Sequence, residues 1–355
     1  MKEIDIRQAF TIEDHVFIDV RSPGEFDESH IPGAINVPIF NDEERAKVGT
    51  TYKIKGQDPA KWLGMELVSP KIPHLMQCIR EVSESGKKPI IYCWRGGMRS
   101  KSVATFSEMA GLQVQRLTGG FKQYRQWIVD NLNETILPNR FIVLHGMTGV
   151  GKTMILDRLK GKGFPILDLE ACAGHRGSVF GGIGAPVYNQ KTFESNLYHQ
   201  LEKIKGLPLV FMEAESRRIG KAVQPEFLLE AKAKGIHVVL ETSVEIRAKR
   251  IYEEYVIPYK SEAQFQERVK EAVTPILKRF IPAIKDELIQ HIDKEDYKNL
   301  IVLLLEQYYD PRYQHKLEEY DGPFYHVRVD DIEDTVKHLT KIILQHQRDS
   351  TLVQG

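Results

Sequence analysis

Residues 141–163 read FIVLHGMTGVGKTMILDRLKGKG, and they decide the architecture of the second half of the chain. An apolar stretch typical of a buried strand leads into a glycine-rich loop, and a stretch with helical periodicity follows. The loop, residues 146–153, fits the pattern G-x-x-x-x-G-K-[ST]. Glycines in such a strand–loop–helix context allow backbone N–H groups to wrap a diphosphate. The sequence therefore predicts a phosphate-binding site here.

Side chains of this P-loop and of a neighbouring strand complete the predicted site. Lys152 supplies a point charge to the phosphates, and Thr153 can hold Mg²⁺. The expected acidic partner ends a strand, and PLVFMEAES offers Glu213 ahead of Glu215. ATP is the default ligand, although any diphosphate fits the same N–H geometry. The predicted diphosphate-binding residues are Gly146, Gly149, Gly151, Lys152, Thr153 and Glu213.

A polar segment near the P-loop, LDLEACAGHRGSVFGG at residues 167–182, is a candidate second-substrate site. Asp168 and Glu170 follow a predicted strand, and a glycine-rich loop comes next. An ordinary surface loop is the alternative interpretation. The residues predicted to bind a second substrate are Asp168, His175, Arg176 and Ser178.

The first part of the chain predicts a separate parallel-sheet domain. Short apolar runs such as HVFIDV, KPIIYCW and VQRL alternate with helical stretches such as PHLMQCIREVSESG. We predict an α/β protein with an N-terminal domain over residues 1–130, interrupted at about 40–70 by an inserted loop with at most a short helix. After TILPNR, a P-loop domain covers residues 138–355, with a charged helical region at about 243–320.

Composition limits the function classes. The 49 basic residues equal the 49 acidic ones, so no net field draws the 355-residue chain to nucleic acid or membrane. Three cysteines without a C-x-x-C pair argue against a disulfide framework and a structural zinc site. The N-terminus lacks a signal-peptide core, and no apolar run is long enough to span a bilayer. We expect a cytoplasmic protein with no membrane partner.

The stretch IIYCWRGGMRS, residues 90–100, contains a candidate nucleophile. Cys93 follows a buried-type strand, and a helical stretch begins soon after it. Backbone N–H groups at the start of the helix and two arginines would favour a thiolate and an adjacent anion. A small core residue is the alternative, and that interpretation is preferred for Cys78 and Cys172. The predicted anion loop consists of Arg95, Gly96, Gly97, Met98, Arg99 and Ser100.

Three segments together resemble the rhodanese domain: DVRSPGEFDESHIPGAINVP at 19–38, the Cys93 loop, and LTGGFKQYRQW at 117–127. The resemblance implies a persulfide or comparable intermediate on Cys93, with Asp19 and Arg21 as a structural ion pair. The loop from Cys93 to Arg99 is one residue longer than in ordinary rhodaneses. It is similar to the loop of rhodanese-fold phosphatases and should accept a phosphate-sized anion. Tyr92, however, replaces the usual histidine, and no general acid is evident.

The combination of this domain with a P-loop domain carrying AGHRGSVFG (173–181) and EAESRRIG (213–220) resembles the tRNA 2-selenouridine synthase family. The resemblance implies that the sulfur of wobble 2-thiouridine in the tRNA anticodon region is replaced by selenium from selenophosphate. S-geranylation from geranyl diphosphate at the P-loop, with Mg²⁺ as a candidate cofactor, would activate the sulfur. A covalent selenium adduct on Cys93 and a donor-binding role of Cys93 both remain compatible with it.

Two competing hypotheses belong to other classes. One is an ATP-dependent kinase or tRNA-binding protein fused to a sulfurtransferase or rhodanese-fold phosphatase. The other is a non-catalytic RNA-binding module, which intact Cys93 and Lys152 disfavour. RNA contacts are weakly indicated by basic and aromatic clusters in the helical region. The candidates are Arg247, Lys249, Arg250, Lys278, Arg279, Tyr308, Tyr309 and Tyr313.

Overall fold

The computed structural model describes residues 2–175, 187–317, 320 and 324–352. Two compact units are present. The first comprises residues 1–134 together with 194–198, and the second comprises the rest of the described chain. Each unit contains a five-stranded parallel sheet with helices. The predicted α/β fold class is therefore confirmed.

The N-terminal unit has the strand order β1-β5-β4-β2-β3, with every neighbouring pair parallel. The central strand carries the buried run before Cys93, so the cysteine emerges at its carboxyl end. The strands are β1 Lys2–Ile4, β2 His15–Asp19, β3 Ile35–Asn36, β4 Lys88–Tyr92 and β5 Gln115–Leu117. The helices are α1 Ile6–Thr11, α2 Pro23–Glu28, α3 Asp42–Lys55, α4 Gln57–Val68, α5 Ile72–Glu84, α6 Met98–Met109 and α7 Gly120–Leu132, with a 3₁₀ turn at Ser69–Lys71.

The inserted segment at about 40–70 corrects the sequence prediction of a loop with at most a short helix, because it forms the two helices α3 and α4, of 14 and 12 residues. Asn41 caps α3 by accepting a hydrogen bond from the Glu44 amide at 2.8 Å, and the Glu44 side chain completes a capping box. Apolar periodicity is weak here because the two helices bury fully only Ala60 and Val68. Helices that bury so little need no continuous apolar stripe, and periodicity could not reveal them.

The C-terminal unit has the parallel strand order β12-β11-β6-β8-β7, and the apolar run of residues 141–146 lies at its centre. The strands are β6 Phe141–Gly146, β7 Ile166–Leu167, β8 Val210–Glu213, β9 Arg218–Ile219, β10 Ala222–Val223, β11 Ile236–Glu241 and β12 Phe324–Arg328, of which β9 and β10 form an antiparallel pair. All six residues of β6 are buried, as expected for a strand covered on both faces.

Helices account for most of the C-terminal unit. They are α8 Lys152–Gly161, α9 Leu169–Ala173, α10 Gln190–Ile204, α11 Glu226–Ala233, α12 Val244–Ile251, α13 Phe265–Leu277, α14 Pro282–Asp293, α15 Tyr297–Leu304, α16 Asp310–Leu317 and α17 Ile332–Leu352, with π-helical turns at Tyr252–Val256 and Leu305–Tyr309. Helices α12 to α15 share an apolar core that includes Phe265, Leu288 and Leu300. This confirms the predicted helical region. No described helix has the length and apolar character needed to cross a membrane.

A buried histidine pair joins β6 to β11 directly before the P-loop. His237 donates from Nε2 to the Ala233 carbonyl oxygen at 3.2 Å, so the Nδ1 of neutral His237 is an acceptor. His145 therefore donates from Nε2 to that Nδ1, at 2.8 Å. Burial, followed by the nearby His237 and Lys232, lowers the pKa of His145 to about 3. Both rings are consequently neutral near pH 7.

Candidate functional sites

Cys93 lies at the carboxyl end of β4, directly before the loop that enters α6. Its thiol is buried, and Sγ lies 3.2 Å from the Ser100 hydroxyl oxygen and 4.0 Å from the Gly97 carbonyl oxygen. Helix α6 begins at Met98, so Cys93 and Ser100 meet at the helix end that carries positive partial charge. The structure thus brings the predicted nucleophile, Gly97 and Ser100 together in an environment suited to an anion.

The Cys93 loop is held by a glycine turn from the following segment. Gly96 has φ +63°, and a Cβ atom there would lie 3.0 Å from the Gly119 amide nitrogen. Gly120, with φ +60°, packs so closely on the Cys93 carbonyl that a side chain would collide with it. Phe121 donates its N–H to that carbonyl at 2.9 Å. The segment LTGGF therefore supports the loop, which explains physically why the two segments occur together.

The two arginines predicted in the Cys93 loop have different surroundings. Arg99 makes a two-pronged contact with Glu25, at 2.5 and 3.3 Å, whereas Arg95 is exposed. Partial burial raises the pKa of the Glu25 carboxyl, but the hydrogen bond and charge of Arg99 outweigh it, and the pKa is lowered. Arg116 donates to the Gly96 carbonyl and to Glu3. Glu25 and Arg116 were not identified from the sequence, because both come from segments distant along the chain.

Asp19 and Arg21 form the structural ion pair that the sequence predicted. Arg21 Nη2 lies 2.6 Å from Asp19 Oδ2, and both side chains are almost completely buried. The guanidinium also lies 4.2 Å from the centre of the Phe121 ring and donates to the Ser29 carbonyl oxygen at 2.7 Å. A charge with all these partners stabilises the surrounding loops and is not accessible to a substrate.

The P-loop adopts the geometry that its pattern predicts. Gly149 has φ +81°, and a Cβ atom there would lie 2.9 Å from the Arg247 carbonyl oxygen. Gly151, with φ +96°, precedes α8. Lys152 donates to the Gly146 carbonyl oxygen at 3.0 Å, and Thr153 donates its hydroxyl to Glu170 Oε2 at 3.2 Å. A cavity of about 70 Å³ lies against residues 148–154.

The acidic residues near this cavity have different positions. Glu170 and Glu215 line it, whereas Glu213 is completely buried and accepts a weak hydrogen bond from the Glu170 amide at 3.4 Å. Burial, followed by Glu170 and Asp168, raises the pKa of Glu213 well above its ordinary value. Its Oε1 has no hydrogen-bond partner among the described residues. Glu213 therefore lies behind Glu170, and its predicted role in diphosphate binding stays a prediction.

A hydroxyl and a carboxylate at the same edge of the cavity are the kind of oxygen ligands that Mg²⁺ takes. Thr153 and Glu170 therefore fit the ion that the P-loop pattern implies, and Glu213 supplies a further buried carboxyl behind them.

The predicted second-substrate residues are only partly described. Asp168 caps α9 by accepting from the Ala171 amide at 2.8 Å, and burial raises its pKa. It does not line the P-loop cavity. His175 packs closely on Gly220. Arg176 and Ser178 lie outside the described residues. The structure gives Asp168 a helix-capping role, and the substrate role of the group stays a prediction.

Two arginines predicted as candidate RNA contacts have other positions. Arg247 is a correction, because its side chain is buried and paired with Asp310 at 2.7 and 2.8 Å. Arg250 lines the P-loop cavity and donates to the Val150 carbonyl oxygen at 2.7 Å. The sequence contained a basic cluster in α12, but only the packing of α12 against the loop shows that Arg250 is a second cation, beside Lys152, at the P-loop cavity.

Comparison with known proteins identifies the family. The family model of the tRNA 2-selenouridine synthase AAA domain matches residues 139–345, and that of the rhodanese-like domain matches residues 5–126. A relative from Pseudomonas syringae pv. syringae, named tRNA 2-selenouridine synthase, is 34% identical over 88% of this chain and 91% of its own. A relative of the same name from Nitrosomonas europaea is 35% identical over 77% of this chain and 71% of its own. The chain belongs to the tRNA 2-selenouridine synthase family.

Proposed function

We propose that this protein is a tRNA-modifying transferase that replaces the sulfur of wobble 2-thiouridine by selenium from selenophosphate, after S-geranylation by geranyl diphosphate. The observation that carries the proposal is that one chain of this family contains two candidate anion-binding loops, each between a parallel strand and a helix. One site presents a thiol next to a hydroxyl, Cys93 and Ser100. The other presents cations and carboxylates around a diphosphate cradle.

The first step suits the P-loop. The sulfur of 2-thiouridine attacks the first carbon of geranyl diphosphate, so that an S–C bond forms, the C–O bond to the diphosphate breaks and the proton on N3 of the base is lost to solvent. The leaving pyrophosphate takes the electron pair. Lys152 and Arg250 neutralise this charge, and the P-loop amides bind its oxygens. Thr153 and Glu170 would hold Mg²⁺, which would supply further neutralisation of the leaving group.

The second step suits the Cys93 loop. The selenium of selenophosphate adds at C2 of the geranylated base, and the C2–S bond then breaks, so that sulfur leaves as geranyl thiol after taking up a proton. Water next cleaves the Se–P bond and releases phosphate, which leaves 2-selenouridine. The loop binds the tetrahedral phosphate group of the donor at the start of α6, beside Cys93 and Ser100.

The test is reconstitution with one component omitted at a time. The protein is incubated with 2-thiouridine tRNA, geranyl diphosphate and selenophosphate, and the digested nucleosides are weighed by mass spectrometry. We expect S-geranyl-2-thiouridine without selenophosphate and no selenated product without geranyl diphosphate. Steady ATP hydrolysis, or ATP displacing geranyl diphosphate from the protein, would instead favour the kinase hypothesis.

A further inference from the structure

An apolar cavity of about 330 Å³ lies in the N-terminal unit, between the helical insertion and α6. We call it the insertion cavity. Its volume is at the lower end of the range for small-molecule sites, roughly 300–1,000 Å³. Its walls come from the segment before α3, from α3 and α4, from the 3₁₀ turn and the start of α5, and from one face of α6. The lining residues are Ile39, Phe40, Val48, Tyr52, Gln57, Ala60, Lys61, Gly64, Met65, Val68, Ser69, Ile72, Met98, Arg99, Ser102 and Phe106.

The lining of this cavity is mainly apolar. Its charged members, Lys61 and Arg99, are each already paired with a carboxylate, Lys61 with Asp58 at 3.2 Å and Arg99 with Glu25 at 2.5 Å. The remaining walls are mainly aliphatic, aromatic or thioether groups. A ligand that matches these walls has an apolar body.

The insertion cavity begins at the same helical turn as the Cys93 site. Arg99, Ser102 and Phe106 lie at i, i+3 and i+7 and so share the face of α6 that lines the cavity. Ser100, on another face of the same turn, contacts Cys93. One turn of helix rises about 5.4 Å. The cavity and the Cys93 loop are therefore neighbours at the start of α6.

Apolar side chains remain exposed around the cavity. Tyr52, Met65 and Met98 all line it, and each is more than half exposed. Exposed side chains of this kind around an apolar recess indicate a surface that a ligand covers. The insertion is thus positioned to cover a substrate at the Cys93 loop.

We propose that the insertion cavity binds the geranyl chain of S-geranylated 2-thiouridine in tRNA while selenium is delivered at the Cys93 loop. This inference rests on the proposed function. The RNA-bound chain is the assigned occupant because the diphosphate cradle belongs to the other unit, so at Cys93 the chain is already on sulfur. Geranyl thiol, the leaving group, then departs from an apolar pocket.

The expected selectivity is large. Each buried methylene contributes about fourfold to affinity. S-geranyl differs from S-methyl by nine carbons, so even partial burial predicts at least a tenfold preference for an anticodon stem-loop with the S-geranyl group. The preference is measured as the ratio of the two dissociation constants, without selenophosphate, and separately as the ratio of the selenation rates with it.

Two variants change the cavity, and one matched variant does not. Ser102→Phe fills it from α6, and Met65→Glu places a charge at its edge. Trp62→Glu is the control, because Trp62 is an exposed apolar residue on the same helix as Met65 that does not line the cavity. We expect the ratio of dissociation constants to fall to near one in both cavity variants and to stay at the wild-type value in the control. If thermal melting shows that Ser102→Phe does not fold, the result for Met65→Glu alone tests the cavity assignment.

The outcomes separate this inference from the proposed function. A binding preference that both cavity variants lose supports the cavity even if no selenated product forms, in which case the proposed function fails alone. Equal wild-type affinity for the two RNAs overturns the cavity assignment even if selenation succeeds. The cavity assignment is also overturned if both cavity variants keep the wild-type preference for the S-geranylated RNA. This holds even if the variants weaken the binding of free geranyl diphosphate or dissociate a dimer of the chain.

Discussion

The Cys93 loop and the P-loop are both glycine-containing turns between a parallel strand and a helix, yet they handle charge differently. In the Cys93 loop, Arg99 is already paired with Glu25. In the P-loop, Lys152 donates to a neutral carbonyl and keeps its charge available for a ligand. The first loop therefore places a buried thiol beside a hydroxyl at the start of a helix, whereas the second places cations beside carboxylates. Similar backbone geometry thus serves two different chemistries.

Removing the Cys93 thiol should have the largest effect, because it should impair selenium transfer without impairing geranylation. We expect Cys93→Ala to reduce selenium transfer at least about a thousandfold, because a group that contacts the donor is lost, while geranylation stays largely intact. Product nucleosides are quantified by mass spectrometry. Cys78→Ala is the control, since Cys78 lies on α5 and is not part of the Cys93 loop. Wild-type selenation by Cys93→Ala would contradict the assignment.

Shortening the Cys93 loop tests whether its width matters. Deleting Gly97 should lower selenophosphate use roughly a hundredfold, because the donor is displaced from the start of α6. Gly97→Ala is the matched control, because Gly97 has φ −88° and a Cβ atom there meets nothing within 4 Å. Single-turnover selenation of S-geranylated tRNA is the measurement. Retained activity in the deletion would show that loop width is irrelevant.

Removing the charge of Lys152 from the P-loop should impair geranylation rather than the selenium-transfer step. Lys152→Ala is expected to slow geranylation about a hundredfold, comparable to the loss of one oxyanion donor. Lys160→Ala, on the exposed side of the same helix, serves as the control. The measurement that best separates the hypotheses is whether S-geranylated tRNA restores selenation by the Lys152→Ala protein.

Rescue of Lys152→Ala uses tRNA supplied already S-geranylated. If alkylation precedes selenation, this substrate should be converted normally through the Cys93 loop. Failure of rescue, with tRNA binding shown to be normal, would count against the alkylation role of residues 146–153.

The smallest expected effect is on stability, and it concerns the histidine pair beneath the P-loop. Above about pH 6.5, His145 is neutral in both folded and unfolded states. Between that pH and its lowered pKa of about 3, only the unfolded state binds the proton, so stability falls as the pH is lowered. The slope for one proton is at most about 1.4 kcal/mol per pH unit.

This pH dependence is measured by chemical unfolding between pH 7 and 4. His145→Asn should flatten the stability profile, whereas His338→Asn, at an exposed position on α17, should leave the wild-type slope. An unchanged slope in His145→Asn would show that other groups dominate acid unfolding.

Much of the site could be predicted from local pattern. The P-loop, the Cys93 loop and the Asp19–Arg21 pair depend on residues within short segments, so their spacing carries the signal. The partners that adjust these loops come from far away. Glu25 lies 74 positions before Arg99, and Arg250 lies 100 positions after Val150. Such pairs leave no periodic trace in one sequence.

The sequence by itself determined the two parallel-sheet units, the two loops and the candidate site residues within them, because glycine conformations and buried apolar strands are local constraints. Tertiary structure alone decided that residues 42–68 form helices, that Glu170 rather than Glu213 faces the P-loop cavity, and that an apolar cavity adjoins the Cys93 loop. The physical reason is that burial and charge pairing depend on which segments meet in space, and weakly amphipathic helices acquire a binding surface only through that packing.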